Sequence, residues 1–566
     1  FLLLSVEHSI MISAHVLGPL KPRMPPELRQ PPAFNGIERN LSLQVPCEFE
    51  AKEKPLQFYT ERALHAASPP GAPSLLYAFC KGQSLDIRCR VFLWYLLFAA
   101  VAFGSYFVWQ PVHGVLHRLS GALKLLPLVH LLLDLSMYAL SPWPRKDFSH
   151  ANDPGYLRQI GCIVPCHLSA LEIKRTVSSL LQYLQPGHIV VVDNGNSIFP
   201  LDDTRDILAE LEPKVKYLWL PIGHKTNALW KGLSELPSEV QYVMHIDDDT
   251  ELPKNFVLDE TVWDDPGVHG VSYGICMRQV GRVSRLVDWE FRHISQCRLF
   301  QAQHSTVWFQ HGIIGLWRRS AFAQTLQDHP FLPFGEDNWN GIINLLKQRR
   351  MTHELRSCVT TYAPDHIFPG GSTRQQGYGA SSVWKQRAER WCVNAPRRFW
   401  LRLYLLLFYN AGSCKRTLLF QLFSVAHLAG IVFHIMLPFL LLHDMVYDPN
   451  RIWTVVAYFT VSHWISGFVL SVILLRNHPE LQASLETLIL WPIYALFLQI
   501  CTVYGHWRCL LYYIPFVPMR QGLYTEGEMD EEALWKLHGI RCSSTLNGDS
   551  YVALSQEGRD ERLQLI

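Results

Sequence analysis

Long runs of positive charge are missing from this chain. Its 51 Lys and Arg against 49 Asp and Glu leave a formal charge of +2 over 566 residues, so nucleic acid is not an expected partner. No Cys-x-x-Cys pair occurs among the 13 cysteines, the closest two being Cys162 and Cys166. Neither a zinc module nor a disulfide framework is suggested, and reduced thiols facing the cytosol are expected. The phosphate-loop pattern GxxxxGK followed by Ser or Thr is absent too, which weighs against an ATP-driven transporter. Phe1–Val16 does not read as a signal peptide, because Glu7, His8 and His15 interrupt it. The chain opens on Phe1 rather than Met, as expected of numbering that begins inside a longer chain or after processing.

What the sequence does have is apolar residues gathered into blocks. They make up 49% of the chain, and its length exceeds what one core serves. Residues 1–85, with PRMPPELRQPPAF at 22–34, read as a poorly ordered cytosolic arm. The sequon Asn40-Leu41-Ser42 is discounted because that arm is expected inside. Two spans are expected within 86–142. Val91–Trp109 carries no charge and is close to the ~20 residues that cross a hydrocarbon core. Ala122–Leu140 holds Lys124, His130 and Asp134. An acid at that depth either borders a polar conduit or pairs with a neighbouring helix. Composition then turns globular over 143–395. Residues 396–518 return to apolar character, with RRFWLRLYLLLFY suited to a helix at the membrane surface. Spans are expected at Thr417–Leu442, Ile452–Leu475 and Leu485–Tyr504, and Trp507–Pro518 re-enters or completes a fourth crossing. Arg145, Lys146, Arg397, Arg398, Lys415 and Arg416 flank these spans and place the globular part in the cytosol. Residues 519–566 form a polar tail.

Within 143–395, strand and helix alternate. Strands are expected at 159–164, 188–193, 215–220 and 242–246, with helices at Ser169–Gln185, 203–212 and Thr226–Leu236. That succession argues for a mostly parallel sheet with helices on both faces. In such sheets ligands sit at the carboxyl ends of strands, and the acids collect there. YVMHI runs into Asp247, Asp248 and Asp249. Three adjacent carboxylates repel one another, so a cation is expected, and oxygen-only ligands suit Mg²⁺ or Mn²⁺, with Asp247 and Asp249 facing one ion. Standing alone, the triplet reads as a solvated acidic turn or a helix N-cap. Asp193 ends its strand before Asn194-Gly195 and can accept hydrogen bonds from a base or ribose. Lys225 opens a helix where a cation and a helix N-terminus can receive phosphate.

Further along, Gly335-Glu336-Asp337-Asn338-Trp339 puts two acids at the head of an apolar helical run. A partly desolvated carboxylate near a metal-bound diphosphate is suited to taking a proton from an alcohol. Trp384-Lys385-Gln386-Arg387-Ala388-Glu389-Arg390-Trp391 offers guanidinium groups for a diphosphate and an indole for a sugar ring. Arg387 and Arg390, three apart, would share one face of an α-helix.

The order VVDNGN (191–196), GHKTNAL (223–229), HIDDDTELP (245–253), GEDNW (335–339) and RAERW (387–391), framed by apolar segments, resembles the processive family 2 glycosyltransferases: hyaluronan, chitin and cellulose synthases and related fungal capsule-type polysaccharide synthases. The resemblance covers about residues 90–510. It implies a GT-A-type α/β domain inserted between transmembrane helices. Asp193, Lys225, Asp247, Asp248, Arg387 and Arg390 would bind a UDP-sugar, and Asp247 and Asp249 would hold the metal. Asp337 would be the general base with Glu336 beside it. Trp391, Trp339 and Gly312, the last within QHGIIGLWRRSAF (310–322), would bind the acceptor.

Two positions depart from the family pattern. Arg387 stands where Gln is usual, with Gln386 one residue early, and His311-Gly312-Ile313 replaces Ser-Gly-Pro. The activity implied is inverting transfer from a UDP-sugar onto a growing β-linked polysaccharide, with translocation across a bilayer, the plasma membrane rather than Golgi or ER. The Arg-x-x-Arg-Trp form also resembles ceramide glucosyltransferases, which would add a single sugar to lipid. A membrane transporter is the non-enzymatic reading.

Overall fold

The computed structural model describes residues 114–144 and 151–512, apart from 196, 198, 330–334 and 371–379. The arm 1–85, the expected span Val91–Trp109, the flanking Arg145 and Lys146, and the tail 519–566 lie outside the described residues.

A seven-stranded sheet organises the α/β part. Its strands are β1 (Ile160–Cys166), β2 (Ile189–Asn194), β3 (Lys216–Leu220), β4 (Tyr242–Ile246), β5 (Val268–Arg278), β6 (Ile314–Arg318) and β7 (Arg350–Tyr362), in the order β3-β2-β1-β4-β6-β5-β7. The first four are parallel neighbours, β6 runs antiparallel to both β4 and β5, and β7 returns parallel to β5. Every residue of β1 and β2 is buried, the mark of strands covered on both faces. Alternation divides them between two cores. Cys162 and Val164 face the cluster containing Ile173 and Val177 of helix Ile173–Leu180, while Ile163 faces Ala228, Leu229 and Leu233 of helix Lys225–Glu235.

The expected strands are all present, with ends shifted by a residue or two. The expected helix Ser169–Gln185 shrinks to Ile173–Leu180, because Pro186 and Gly187 close the segment in a 3₁₀ turn and residues 169–172 make the turn out of β1. The place of β6 between β4 and β5 could not be anticipated from local pattern. It sets Ile314 beside Ile246, bringing the segment before β6 against the end of β4, where Asp247 N–H donates to Ile313 O (2.8 Å).

Among the described residues, three helices are long and apolar enough to cross a membrane: Cys414–Tyr447, Pro449–Asn477 and Leu485–Leu511. They contain the expected spans and overrun them at both ends or, for the last, at its C-terminal end, so the expected break near Tyr504 is absent and the helix continues to Tyr512. The expected span at 122–140 is instead two helices, Gly114–Leu123 and Leu126–Leu140, bent by 40° at Lys124 and Leu125. Asp134 is buried and takes the pairing alternative: Ser466 Oγ donates to it (2.7 Å) from the neighbouring helix, with His130 Nδ1 at 3.5 Å. Phe399–Phe408 forms the short apolar helix. Arg398, expected as a flanking surface charge, is only 3% exposed. One hydrophobic cluster runs without interruption from β1, β4 and β5 into Leu470, Trp491 and Tyr494 of the long apolar helices. The α/β part therefore packs directly on them.

Candidate active site

Lys225 draws the site together. Leaving β3, the chain turns into helix Lys225–Glu235, so this side chain starts at a strand's carboxyl end. Its Nζ lies 2.5 Å from Asp247 Oδ1, 3.1 Å from Glu336 Oε1 and 2.8 Å from the carbonyl oxygen of Gly312. Three segments distant in sequence thus meet at one ammonium. Lys225, expected to receive phosphate, is turned onto two carboxylates. Burial opposes its charge, but Asp247 and Glu336 more than compensate and raise its pKa.

The acids around it differ in state. Burial pushes Asp247 up to about 6 against the pull of Lys225. Asp248 is pushed further, to about 7, by burial and by the charge of Asp249. Burial would also raise Glu336, yet Lys225 reverses the effect and brings it down to about 2. Asp337 is raised by burial and by Glu336 beside it, and Asn338 donates to it from its backbone (2.7 Å) and its side chain (3.1 Å). A carboxylate kept ionised by a lysine next to one raised by burial is the split that acid–base chemistry uses.

Backbone features fix these positions. Gly335 has φ +82°, a conformation that glycine adopts without strain, and from it helix Glu336–Leu346 starts with both acids in its first turn, favoured by the helix dipole. Gly312 gives the acids room: an added Cβ would lie 3.1 Å from Glu336 Oε1 and 3.5 Å from Asp337 Cβ. A narrow depression lined by Lys225, His245, Gln310, Gly312, Glu336, Asp337 and Asn340 opens at this point.

The other acids expected to bind a UDP-sugar or metal sit at the same ends of the strands. Asp193, 2% exposed, accepts from Tyr217 Oη (2.9 Å) and is pushed up to about 6 by burial. Asp248 is held by Ser169 Oγ and by the backbone N–H of His167 (3.3 Å), in the loop after β1. Asp249 accepts from Thr361 Oγ1 (3.0 Å) on β7. The aspartate triplet therefore reaches in three directions.

Among the described residues no group of three His, Cys, Asp or Glu converges as a ready metal cage. A hard divalent ion that shares its shell among one or two carboxylates and phosphate oxygens needs no such cage. Lys225 compensates Asp247 and Glu336 and leaves Asp248 strongly raised, so the donor set fits an added cation.

Two expected binding residues, Arg387 and Trp339, are placed elsewhere. Arg387 is 4% exposed; its Nη2 donates to Glu290 Oε2 (2.8 Å), and its guanidinium lies 3.8 Å from the centre of the Trp391 ring. It is a buried tie to helix Arg282–His304, not a free diphosphate ligand. The expectation that Arg387 and Arg390 share a face also fails, because Lys385–Trp391 is a π-helix, marked by Cys392 N–H donating to Arg387 O (2.9 Å). With more than four residues per turn, positions three apart diverge. Arg390 instead bonds Gln386 Oε1 (3.2 Å), and its charge reaches Glu336. Asn394 donates to Arg390 O (3.0 Å) and presses on Gly335, linking this helix to the acids. Trp339 is 8% exposed and packs inward rather than offering its ring to a sugar. Trp391 stays 37% exposed, with Arg387 over its ring.

Sequence reasoning missed the groups that hold the acids. His245 precedes the triplet by two residues; burial, then Lys225, hold it down at about 3 and hence neutral, and Trp317 Nε1 donates to it (3.2 Å). Tyr217, Ser169 and Thr361 belong to strands or loops with nothing unusual in composition. The alternation of Tyr217 and Trp219 on β3 was the single available signal.

A comparison with curated proteins gave no match. Among solved structures, the fold is similar to that of glucosyl-3-phosphoglycerate synthase from Mycobacterium tuberculosis, a complex with Mn²⁺, uridine diphosphate and phosphoglyceric acid, at 16% identity and TM-score 0.24 over 36% of this chain and 70% of that one. It is also similar to S. aureus TarS residues 1–349 with UDP-GlcNAc, at 14% identity and TM-score 0.31 over 63% of this chain and 93% of that one. Residues 162–326 match the model of the family described as glycosyl transferase family 2, and the domain built around them is a GT-A-like α/β domain.

Proposed function

We propose that this chain is an inverting glycosyltransferase that takes sugar from a UDP-sugar and adds it to an acceptor at a membrane surface, extending a β-linked polysaccharide. The observation that carries the reading is the meeting of Asp247, Gly312 and Glu336 at Lys225, with Asp337 in the same depression. The family match over 162–326 and the apolar helices packed beneath the sheet support it.

Asp193 receives the uridine, and Tyr217 orients it. Asp247 and Asp249 would hold Mg²⁺ or Mn²⁺, which when bound supplies positive charge against the diphosphate. Lys225 fixes Glu336 as an anion, and that charge helps keep Asp337 basic enough to accept a proton from the acceptor hydroxyl. Arg390 is the guanidinium left for the departing diphosphate once Arg387 is spent on Glu290. Trp391 offers its exposed surface to the acceptor ring. Long apolar helices around the acceptor side favour a polymer passed through a bilayer over a single transfer to lipid, with the α/β domain cytosolic and the plasma membrane as the site.

Membranes containing the full chain, supplied with each labelled UDP-sugar singly and in pairs, test this directly. The reading expects metal-dependent label in a product of polymeric size. Label confined to a lipid-sized product would favour a lipid glucosyltransferase, and no incorporation from any UDP-sugar would sink the enzymatic reading.

A further inference from the structure

Behind the aspartate triplet the chain forms a second depression, which shares no lining residue with the one at Lys225. It is an open groove of about 590 Å³ at the carboxyl ends of β4 and β5, within the ~300–1,000 Å³ of small-molecule sites. Arg175 and Ser178 of helix Ile173–Leu180 line it, with Gln182 just past that helix. Glu251 and Lys254 come from the segment after the triplet, and Arg278 ends β5.

Three cations thus meet one acid along the lining. Glu251 pairs with Arg278. Arg175, its side chain 54% exposed, has Glu172 at 3.6 Å, beyond hydrogen-bond length, and Lys254 is exposed. Scattered surface charges are ordinary, but these converge from three segments in one concavity, and two of them are set by a common residue. Arg175 Nη1 donates to Tyr362 Oη (2.6 Å), and the Arg278 guanidinium lies 4.9 Å from the centre of the Tyr362 ring.

The walls of the groove are also the supports of the triplet. Thr176, next to Arg175, donates to Asp248 O (2.8 Å). Ser179 Oγ accepts from the backbone N–H of Leu252 (3.0 Å). Thr361, next to Tyr362, donates to Asp249 (3.0 Å).

We infer that Arg175, Lys254 and Arg278 form an effector site for a phosphate group, and that its occupancy is felt at the aspartate triplet. The site goes beyond the glycosyltransferase reading, while its coupling to donor binding rests on that reading. Two guanidinium forks, an ammonium and the Ser178 hydroxyl suit a tetrahedral oxyanion with several acceptor oxygens. Such a group has two sources. One is a soluble phosphorylated molecule. The other is a lipid headgroup, since Arg282, four residues past Arg278, pairs with Glu486 (2.6 Å) at the head of an apolar helix. An anion bridging the groove holds helix Ile173–Leu180 against residues 251–254, and donor binding then has less left to order.

The test titrates inorganic phosphate, at fixed ionic strength, into the full chain in phosphatidylcholine nanodiscs. Binding is expected to be saturable and to weaken at least about tenfold in the double variant Arg175→Gln/Lys254→Gln, the step a charge-assisted hydrogen bond provides. With UDP and Mn²⁺ bound it is expected to tighten about fivefold, the lower end of allosteric coupling. Displacement of phosphate by UDP would assign it to the donor site and overturn the inference, as would binding unchanged in the double variant. Melting curves identify a variant that does not fold, in which case Lys254→Gln alone decides. Adding phosphatidic acid to the discs names the source: phosphate excluded by the lipid marks a headgroup site, and phosphate binding left intact marks a soluble ligand. A wild type that binds no UDP would sink the glycosyltransferase reading alone, whereas phosphate affinity unchanged by a UDP that does bind would sink this inference alone.

Discussion

Toward the strand ends, Asp193, Asp247, Asp248 and Asp249 gather, with Lys225 paired to Asp247, whereas toward the apolar helices Asp337 lies within the fields of Arg298 and Arg398. Each flank carries a deficit of one charge, and on the function proposed above the deficit at the strand ends suits a cation arriving with a diphosphate. Asp337 stands where the two fields meet. Its carboxyl is raised by burial and by Glu336 and restrained by Asn338 and Arg398, so no single neighbour sets its behaviour.

Breaking the boundary itself has the largest expected effect. Asp337→Asn should lower sugar incorporation by about 10³-fold, the middle of what general-base removal costs, while UDP affinity, measured by calorimetry, stays near wild type. Next comes the cation of the donor flank. Lys225→Met leaves Asp247 and Glu336 uncompensated, and stability in denaturant titrations should fall by about 3 kcal/mol, with loss of UDP affinity as well. Arg387→Met sharpens the contrast, because this guanidinium belongs to neither deficit. Glu290, which also accepts from Tyr494 Oη (2.9 Å), would be left buried without its cation, again at a cost of about 3 kcal/mol. UDP affinity should hold steady in that variant. A clear drop would return Arg387 to the diphosphate. Tyr217→Phe is the mildest: Asp193 loses one hydrogen bond, and UDP binding should weaken about fivefold, for roughly 1 kcal/mol.

Much of the fold was legible because burial writes itself into composition. The apolar runs at 160–164, 189–192 and 243–246 could be little else than strands covered on both faces, and the long apolar helices announce themselves by length. The acids were legible for a similar reason, since Asp247, Asp248 and Asp249 at the end of an apolar strand form a local pattern. What escaped was everything fixed by distant pairing. Lys225 was found, but its partners were not, because Gly312 and Glu336 arrive through the antiparallel insertion of β6. Arg387 looked interchangeable with Arg390. Glu290, 97 positions upstream in a different helix, separates their roles, and a π-helix, which has no clear signature in residue spacing, turns their side chains apart. Arg298 carries no motif at all. Its nearness to Asp337 is disclosed only by three-dimensional neighbours.

The π-helix has one more consequence. At Gly505 the last apolar helix approaches it so closely that an added Cβ would lie 2.6 Å from Cys392 Cβ and 3.0 Å from Ala388 O, and Trp384 packs on Tyr504 with ring centres 5.0 Å apart. Trp391 and Arg390 are therefore fastened to that apolar helix as much as to the sheet. On the function proposed above, a bilayer whose thickness tilts the helix would shift both residues, and lipid composition would act on turnover with no regulatory ligand required.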